Sequence, residues 1–218
     1  SVAFYVSGQL MTEDYYVANK LMKGFIGSAN IDTNSRLCMS SAVAGHNRAF
    51  GEDIVPASYD DLDAADLIVL VGSNLCVAHP IMWERVCRNP HNPQVVVIDP
   101  RRTETAMQAT LHLPIKPKSD LTFFYALAHV LVREGWIDRA FIDASTTGFE
   151  SFADFVRDYT PQRATEATGI AVETIEALAR MIHEGKRVSF WWTMGVNQSH
   201  QGTRTAQAII NLALMTGN

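Results

Sequence analysis

The sequence predicts an α/β fold, a three-layer, doubly wound, Rossmann-like parallel sheet. Three observations carry that reading. Asp66 to Val71 and Gln94 to Ile98 are nearly continuous aliphatic runs, mostly β-branched. Strands buried on both faces read this way, which favours a parallel sheet covered by helices. Strand-like and helix-like patterns also alternate along the chain, as in repeated βαβ units. Finally, a polar segment follows each strand, at the edge where open parallel sheets bind ligands.

The elements follow in order. Val2 to Val6 reads as a buried strand. Thr12, Glu13 and Asp14 open an amphipathic helix to about Phe25, ended by Gly24, Gly27 and Ser28. A loop through Asn30, Asp32, Asn34 and Ser35 leads to Cys38, and a helix of small residues runs to about Phe50. Residues 51–60 hold Gly51 and Pro56 and read as a hinge. Asp60 to Ala65 is a short helix before the Asp66–Val71 strand. Gly72-Ser73-Asn74 closes that strand, and a helix spans about His79 to Cys87. The second strand, Gln94 to Ile98, ends at Asp99. Leu111 to Pro114 is a third short strand. Asp120 to Glu134, Ile137 to Ala144, Phe149 to Tyr159 and Val172 to His183 repeat apolar residues on a helical period. Val188 to Thr193 is a strand, Met194 to Gly202 a loop, and Thr203 to Met215 a final helix. The division expected is residues 1–52, part of a discontinuous α/β subdomain carrying Cys38, and 53–218, a Rossmann-like domain. A start inside a strand and an end at a helix cap predict a segment excised from a longer polypeptide.

Composition narrows the function classes. The 218 residues are 47% apolar and 19% charged, with net charge −5. That excludes disorder and fibrous repeats, and it gives no basic field for nucleic acid. No apolar run reaches the roughly 18 residues of a membrane helix. Three cysteines argue against a disulfide framework.

Five strand-end clusters are candidate binding loops: Ser7-Gly8-Gln9, Gly72-Ser73-Asn74, Asp99-Pro100-Arg101-Arg102-Thr103, Lys116 to Asp120, and Thr193 to Gln198. Glycine admits close backbone approach, amides at a helix start favour phosphate, and an acid after the second strand suits a ribose diol. Solvated loops are the competing reading. The incomplete G-x-G-x-x-G disfavours an ordinary nicotinamide dehydrogenase. Cys38 stands at a loop-to-helix junction beside Arg36, where a thiolate suited to metal ligation is favoured. Cys76 and Cys87 have aliphatic neighbours and read as small core residues. The seven histidines read as structural or solvated, and Trp191-Trp192 as core.

With these residues in view, Arg36-Leu37-Cys38-Met39-Ser40-Ser41-Ala42 and Trp192-Thr193-Met194-Gly195-Val196-Asn197-Gln198-Ser199 resemble the catalytic subunit of the dimethyl-sulfoxide-reductase family of molybdopterin oxidoreductases. More narrowly, they resemble bacterial nitrate reductases of the assimilatory type, close to the periplasmic type. The resemblance runs the full length of the chain. It implies a bis-molybdopterin guanine dinucleotide cofactor with molybdenum, and Cys38 as the protein ligand. A soft thiolate suits a metal already held by dithiolene sulfurs. Gln9 and Asn34 match positions near the metal. Gly72, Ser73 and Asn74 match the first guanosine-diphosphate loop, and Asp99, Pro100, Arg101, Arg102 and Thr103 the loop after the next strand. Lys118, Ser119 and Asp120 match a guanine-binding triplet. Met194, Gly195 and Gln198 belong to the loop beside the second pterin. Arg36 is the candidate for anion attraction, against simple pairing with an acid. Met39 is the candidate lining of a substrate funnel, against gap-filling.

The reaction implied is oxygen-atom transfer from nitrate, giving nitrite. Electrons would come from a flavoprotein or ferredoxin through a [4Fe-4S] cluster in an N-terminal domain that this chain lacks. A cytoplasmic location is expected, the periplasm being the alternative. Two rivals share the fold. Formate dehydrogenase commonly has His after the ligand, where this chain has Met39. The large iron–sulfur subunit of respiratory complex I is a non-catalytic scaffold and needs neither the ligand Cys nor the Met-Gly-x-Asn-Gln loop.

Overall fold

In a computed structural model, residues Ser1 to Asn218 are described, apart from the side chain of Arg36. The chain forms two parallel sheets. The smaller pairs β1 (Phe4–Val6) with β2 (Ile31–Thr33) in the register Phe4 to Ile31 and Val6 to Thr33. Between them lies α1 (Thr12–Asn19), which continues as a π-helical segment, Lys20–Ile26, and stops at left-handed Gly27. Two expectations are corrected here. The first strand is shorter than Val2–Val6 and is not buried, with Tyr5 66% exposed. The helix buries only Met22 among its residues, while Tyr16, Val17 and Phe25 face solvent. A sheet of two three-residue strands has too little apolar surface to bury a covering helix. The loop expected after Asn30 contains β2.

Two helices follow, α2 (Ser35–Cys38) and α3 (Ser40–Phe50), the latter closed by left-handed Gly51. The larger sheet is then built from α4 (Tyr59–Ala64), β3 (Leu67–Val71), α5 (Leu75–Ala78), α6 (Pro80–Arg88), β4 (Gln94–Ile98), α7 (Glu104–Gln108) and β5 (Leu111–Leu113). Five helices cross back: α8 (Asp120–Arg133), α9 (Arg139–Ser145), α10 (Phe149–Val156), α11 (Pro161–Thr168) and α12 (Val172–Glu184). They lead to β6 (Val188–Trp192), α13 (Met194–Asn197) and α14 (Gly202–Thr216).

The strand order is β5-β4-β3-β6, and every neighbouring pair is parallel. Three strands wind one way from β3 and the fourth is laid on its other side. That is the doubly wound α/β plan expected from the sequence. The winding reverses between β3 and β6, so a crevice opens at their carboxyl ends.

Successive strand residues point to opposite faces. Leu67, Val69 and Val71 join Phe123, Phe124, Leu127 and Leu131 of α8, Ile175 and Leu178 of α12, and Ile209 and Leu212 of α14. Ile68 and Leu70 join Leu62, Leu75, Val86, Val95 and Val97 on the other face. Truncating a core leucine such as Leu70, which is fully buried, costs about 2–5 kcal/mol. The two thiols expected in this core are not there: Cys76 is half-buried and Cys87 exposed. On α5 and α6 it is their neighbours Leu75 and Val86 that point inward.

Candidate functional site

The carboxyl ends of β3 and β6 meet through glycine. Gly72 follows β3 with φ +53, and Gly195 lies just beyond β6. A Cβ on Gly72 would stand 2.7 Å from the Gly195 Cα, and one on Gly195 would stand 2.5 Å from the Gly72 Cα. The Gly195 amide donates to the Gly72 carbonyl at 3.1 Å, and Thr193 Oγ1 donates to the same oxygen at 2.9 Å. Both loops are thereby closed on one another.

Ser73 is fully buried, and its hydroxyl has no hydrogen-bond partner. Such an orphan is unusual, because buried polar atoms are nearly always paired. Asn74 is locked: its amide donates to Glu104 at 2.8 Å and its oxygen accepts from the Thr105 hydroxyl at 2.8 Å. The backbone N–H of Glu104 and the Asn74 amide hold the exposed Glu104 carboxyl below its ordinary range. Thr105 also accepts from the Cys76 amide at 3.0 Å.

After β4, Asp99 is buried and its carboxylate accepts from the Arg101 amide at 2.8 Å. His112 Nε2 donates to the Asp99 carbonyl at 2.8 Å. Pro100, Arg101 and Arg102 are exposed, whereas Thr103 is buried and caps α7 through the Ala106 amide. After β5, exposed Lys118 adopts φ +70, a left-handed conformation uncommon for a residue with a side chain. Ser119 is buried and donates to the Lys116 carbonyl at 2.6 Å. Asp120 opens α8 half-buried. Burial pushes its carboxyl up, opposed by its own backbone N–H, and the charge of Asp99 pushes it further.

The smaller sheet brings its own strand ends to this region. Asn34 follows β2 and accepts from the Gly8 amide after β1, while exposed Gln9 accepts from Ser7 at 3.0 Å. Cys38 closes α2, one residue before Met39 caps the start of α3. It is half-buried, and its sulfur lies 3.5 Å from the Met194 thioether and 3.6 Å from the Gln198 amide. Residues about 160 positions apart are thus joined at one sulfur. Met39 is 38% exposed. The Arg36 side chain, expected to attract an anion, lies outside the described residues.

The residues expected from the sequence therefore fall into linked groups: Cys38 with Met194 and Gln198, Gly72 with Gly195, Asp99 with Asp120, and Gln9 near Asn34. Of the residues that pin them, sequence reasoning missed Glu104 and Thr105, while Thr193 and Asn197 fall inside the expected Thr193 to Gln198 cluster without a role assigned to either. Only the Thr103 cap of a short helix had a local signal. A concavity of about 390 Å³ between Trp136, His183 and Asn218 lies at the opposite end of β6 and shares no residue with these loops.

Comparison with known proteins gives a consistent picture. Residues 1–218 match the family described as molybdopterin oxidoreductase. The chain is 48% identical over 222 residues to a nitrate reductase of Shewanella frigidimarina, covering 100% of this chain and 24% of that protein. It is 44% identical over 220 residues to a nitrate reductase of Synechocystis, covering 99% of this chain and 31% of the relative. It is 36% identical to the F420-dependent formate dehydrogenase 1 subunit alpha of Methanococcus maripaludis, covering 100% of this chain and 32% of the relative. The chain thus spans about a quarter to a third of the relatives it matches. In fold it is similar to acetylene hydratase from Pelobacter acetylenicus, with a TM-score of 0.78 at 22% identity, over 93% of this chain and 28% of that one. Matched along its whole length in sequence, the chain belongs to the molybdopterin oxidoreductase family.

Proposed function

We propose that this chain is the part of a molybdenum nitrate reductase that offers the metal its protein ligand, Cys38, and binds guanine dinucleotide at the carboxyl edge of the larger sheet. The overall reaction is NO3− + 2H+ + 2e− → NO2− + H2O. The observation that carries the reading is the setting of Cys38, a half-buried sulfur faced by Met194 and Gln198 and followed by Met39. The nitrate reductases at 48% and 44% identity favour nitrate over formate, whose dehydrogenase relative stands at 36%.

The residues fit the group. The bare backbones of Gly72 and Gly195 let the ends of β3 and β6 close on one another, which brings Ser73 and Met194 to one edge. The orphaned hydroxyl of Ser73 is a donor in want of an acceptor. Asp120, held in an environment that disfavours its charge, gains most from paired N–H donors such as the guanine edge. A bound molybdenum–pterin group supplies the two-electron exchange and a Lewis-acid site for an oxyanion.

The chain's own residues do the rest. Cys38 offers a soft thiolate to a metal held by dithiolene sulfurs. Gln198 donates toward that sulfur and so moderates its electron donation. Gln9 and Asn34 orient the group near the metal, and Met39 lines the approach. Arg101, Arg102 and Lys118 bring positive charge to the phosphate side. Residues 1–52 act as the ligand-bearing subdomain and 53–218 as the dinucleotide-binding domain. As part of the same proposal the whole enzyme is cytoplasmic and draws electrons from a flavoprotein or ferredoxin through a [4Fe-4S] cluster. Among the described residues no helix is long and apolar enough to cross a membrane.

The test is the holoenzyme purified from a cofactor-competent host. It is expected to contain molybdenum and to reduce nitrate with a reduced viologen. Cys38→Ala is expected to abolish turnover while far-ultraviolet circular dichroism stays as in the wild type. An active Cys38→Ala enzyme removes the ligand assignment, and formate oxidation without nitrate reduction replaces the substrate.

A further inference from the structure

We infer that Asn197 is a positioning residue that fixes the Met39 side chain beside Cys38, and that Trp192 orients Asn197 for that task. The inference rests on the proposed role of Met39 and deepens it.

The side chain of Asn197 is 4% exposed. Its oxygen accepts from the Trp192 indole N–H at 3.1 Å, and its amide nitrogen donates to the Met39 sulfur at 3.6 Å. An indole N–H can only donate, so the amide oxygen must face Trp192 and the NH2 must face Met39. The usual ambiguity of an amide flip is absent here. A thioether is a weak acceptor on a flexible side chain. A fixed donor is therefore what distinguishes one Met39 conformer from the others.

Trp192 is itself held. Its ring lies against His46, with centroids 5.5 Å apart. Met39 and His46 are seven residues apart, at the start and at the end of the second turn of α3, so they share one helix face. That face carries Ala42 between them, and Gly45 beside it approaches Ala206 of α14 at 3.1 Å from its Cβ position. The helix that follows Cys38 is thus fastened to the end of β6 at both ends of one stripe. Asn197 makes the fastening nearest the ligand sulfur.

The experiment reads the Met39 methyl group directly. Methionine methyls are carbon-13 labelled in the 218-residue chain, which holds eight of them, and Met39 is assigned by Met39→Leu. Asn197→Leu is expected to shift or broaden the Met39 methyl and leave those of Met82 and Met215 in place. Trp192→Phe keeps an aromatic ring toward His46 and removes the N–H together with part of the indole, so it is expected to move the same signal. It keeps the test alive if Asn197→Leu does not fold. An unmoved Met39 methyl in either folded variant overturns the proposal.

In the holoenzyme, Asn197→Leu is expected to raise KM for nitrate about three- to tenfold with kcat nearly unchanged. Combining it with Met39→Ala is expected to add nothing to Met39→Ala alone, because residues acting through one another are not additive. Independent, additive losses overturn the proposal. A wild-type holoenzyme that reduces no nitrate overturns the substrate reading alone, and the methyl shift still decides the role of Asn197.

Discussion

At the scale of single residues, the carboxyl edge is built from groups that fold at a cost. Gly72 combines a left-handed φ of +53 with a backbone contact that leaves no space for a Cβ. The left-handed conformation alone costs a residue with a side chain roughly 1–2 kcal/mol, and the contact with Gly195 adds to it. Gly72→Ala is therefore expected to destabilise the chain by at least about 2 kcal/mol, measured as a lowered urea midpoint at unchanged m-value. Lys118 carries the same conformational cost without the contact, as a strained residue at a candidate site often does.

Asp120 shows the trade more directly. Its carboxyl is raised by burial and by Asp99, so the folded chain holds that proton to higher pH than the unfolded chain does. Its contribution is complete below the ordinary carboxyl value of about 3.9. Stability is then lost as pH rises through the folded value. Asp120→Asn is expected to remove that loss and raise the urea midpoint at pH 7. The same change deletes the charge-assisted pair with guanine that the proposed function gives Asp120, worth about 1.5–3 kcal/mol, and is expected to weaken GDP binding by one to two orders of magnitude in calorimetry. A variant that is less stable and binds as well contradicts both halves.

At the scale of elements, α3 is the joint between Cys38, the proposed ligand, and the larger sheet, and His46 is its titratable anchor. His46 is 7% exposed, between the Phe50 and Trp192 rings, with Asp53 as the facing charge at 4.0 Å. Burial lowers its imidazole value, and Asp53 only partly offsets that. The folded form therefore stays neutral at a pH where the unfolded chain has taken up a proton. His46 is neutral in both states well above about 6.5, and stability is lost as pH falls below that toward the folded value. Urea midpoints from pH 7 to 5 are expected to fall, and His46→Gln to flatten that limb.

The elements also show what the sequence could carry. β3 and β4 were legible because runs of five and four consecutive aliphatic residues, too short to be a membrane helix, have to be covered on both faces. The loops after them were legible because parallel topology fixes where ligands bind. β2 was not, since Ile31-Asp32-Thr33 is three residues with no flanking pattern. The short α7 and α13 were missed for the same reason, whereas α11 carried start and stop signals in Thr160, Pro161 and Gly169 that went unread. Nor was the fastening of Cys38 to Met194 and of Met39 to Asn197, which exists only once α3 packs on α14. Local pattern reports which face of an element is apolar, and closure between distant segments is a tertiary event.

At the scale of the whole molecule, the surface is uneven. The larger sheet and its helices bury most of their aliphatic residues in two continuous layers, with Val77 and Ile81 left exposed. The first 55 residues leave Tyr5, Met11, Tyr16, Val17, Phe25, Leu37 and Val55 exposed, with Phe25 at 77% and Leu37 at 70%. Few buried contacts and solvent-facing helices mean low local stability. Amides of residues 4–33 are thus expected to exchange with deuterium far faster than those of β3 and β4. Cys38 stands between that weak region and α3, while the groups proposed to meet guanine sit on the well-packed sheet. The 218-residue chain alone is therefore expected to bind GDP measurably, because Gly72, Ser73, Asp99 and Asp120 are positioned by the well-packed sheet. It is expected to reduce no nitrate with reduced viologen, because Gln9 and Asn34, proposed to orient the group near the metal, stand on the loosely held smaller sheet, and loose placement of such a group by about 1 Å can cost on the order of a hundredfold in rate. Detectable turnover by the isolated chain, or slow exchange across residues 4–33, would show that the smaller sheet is firm on its own.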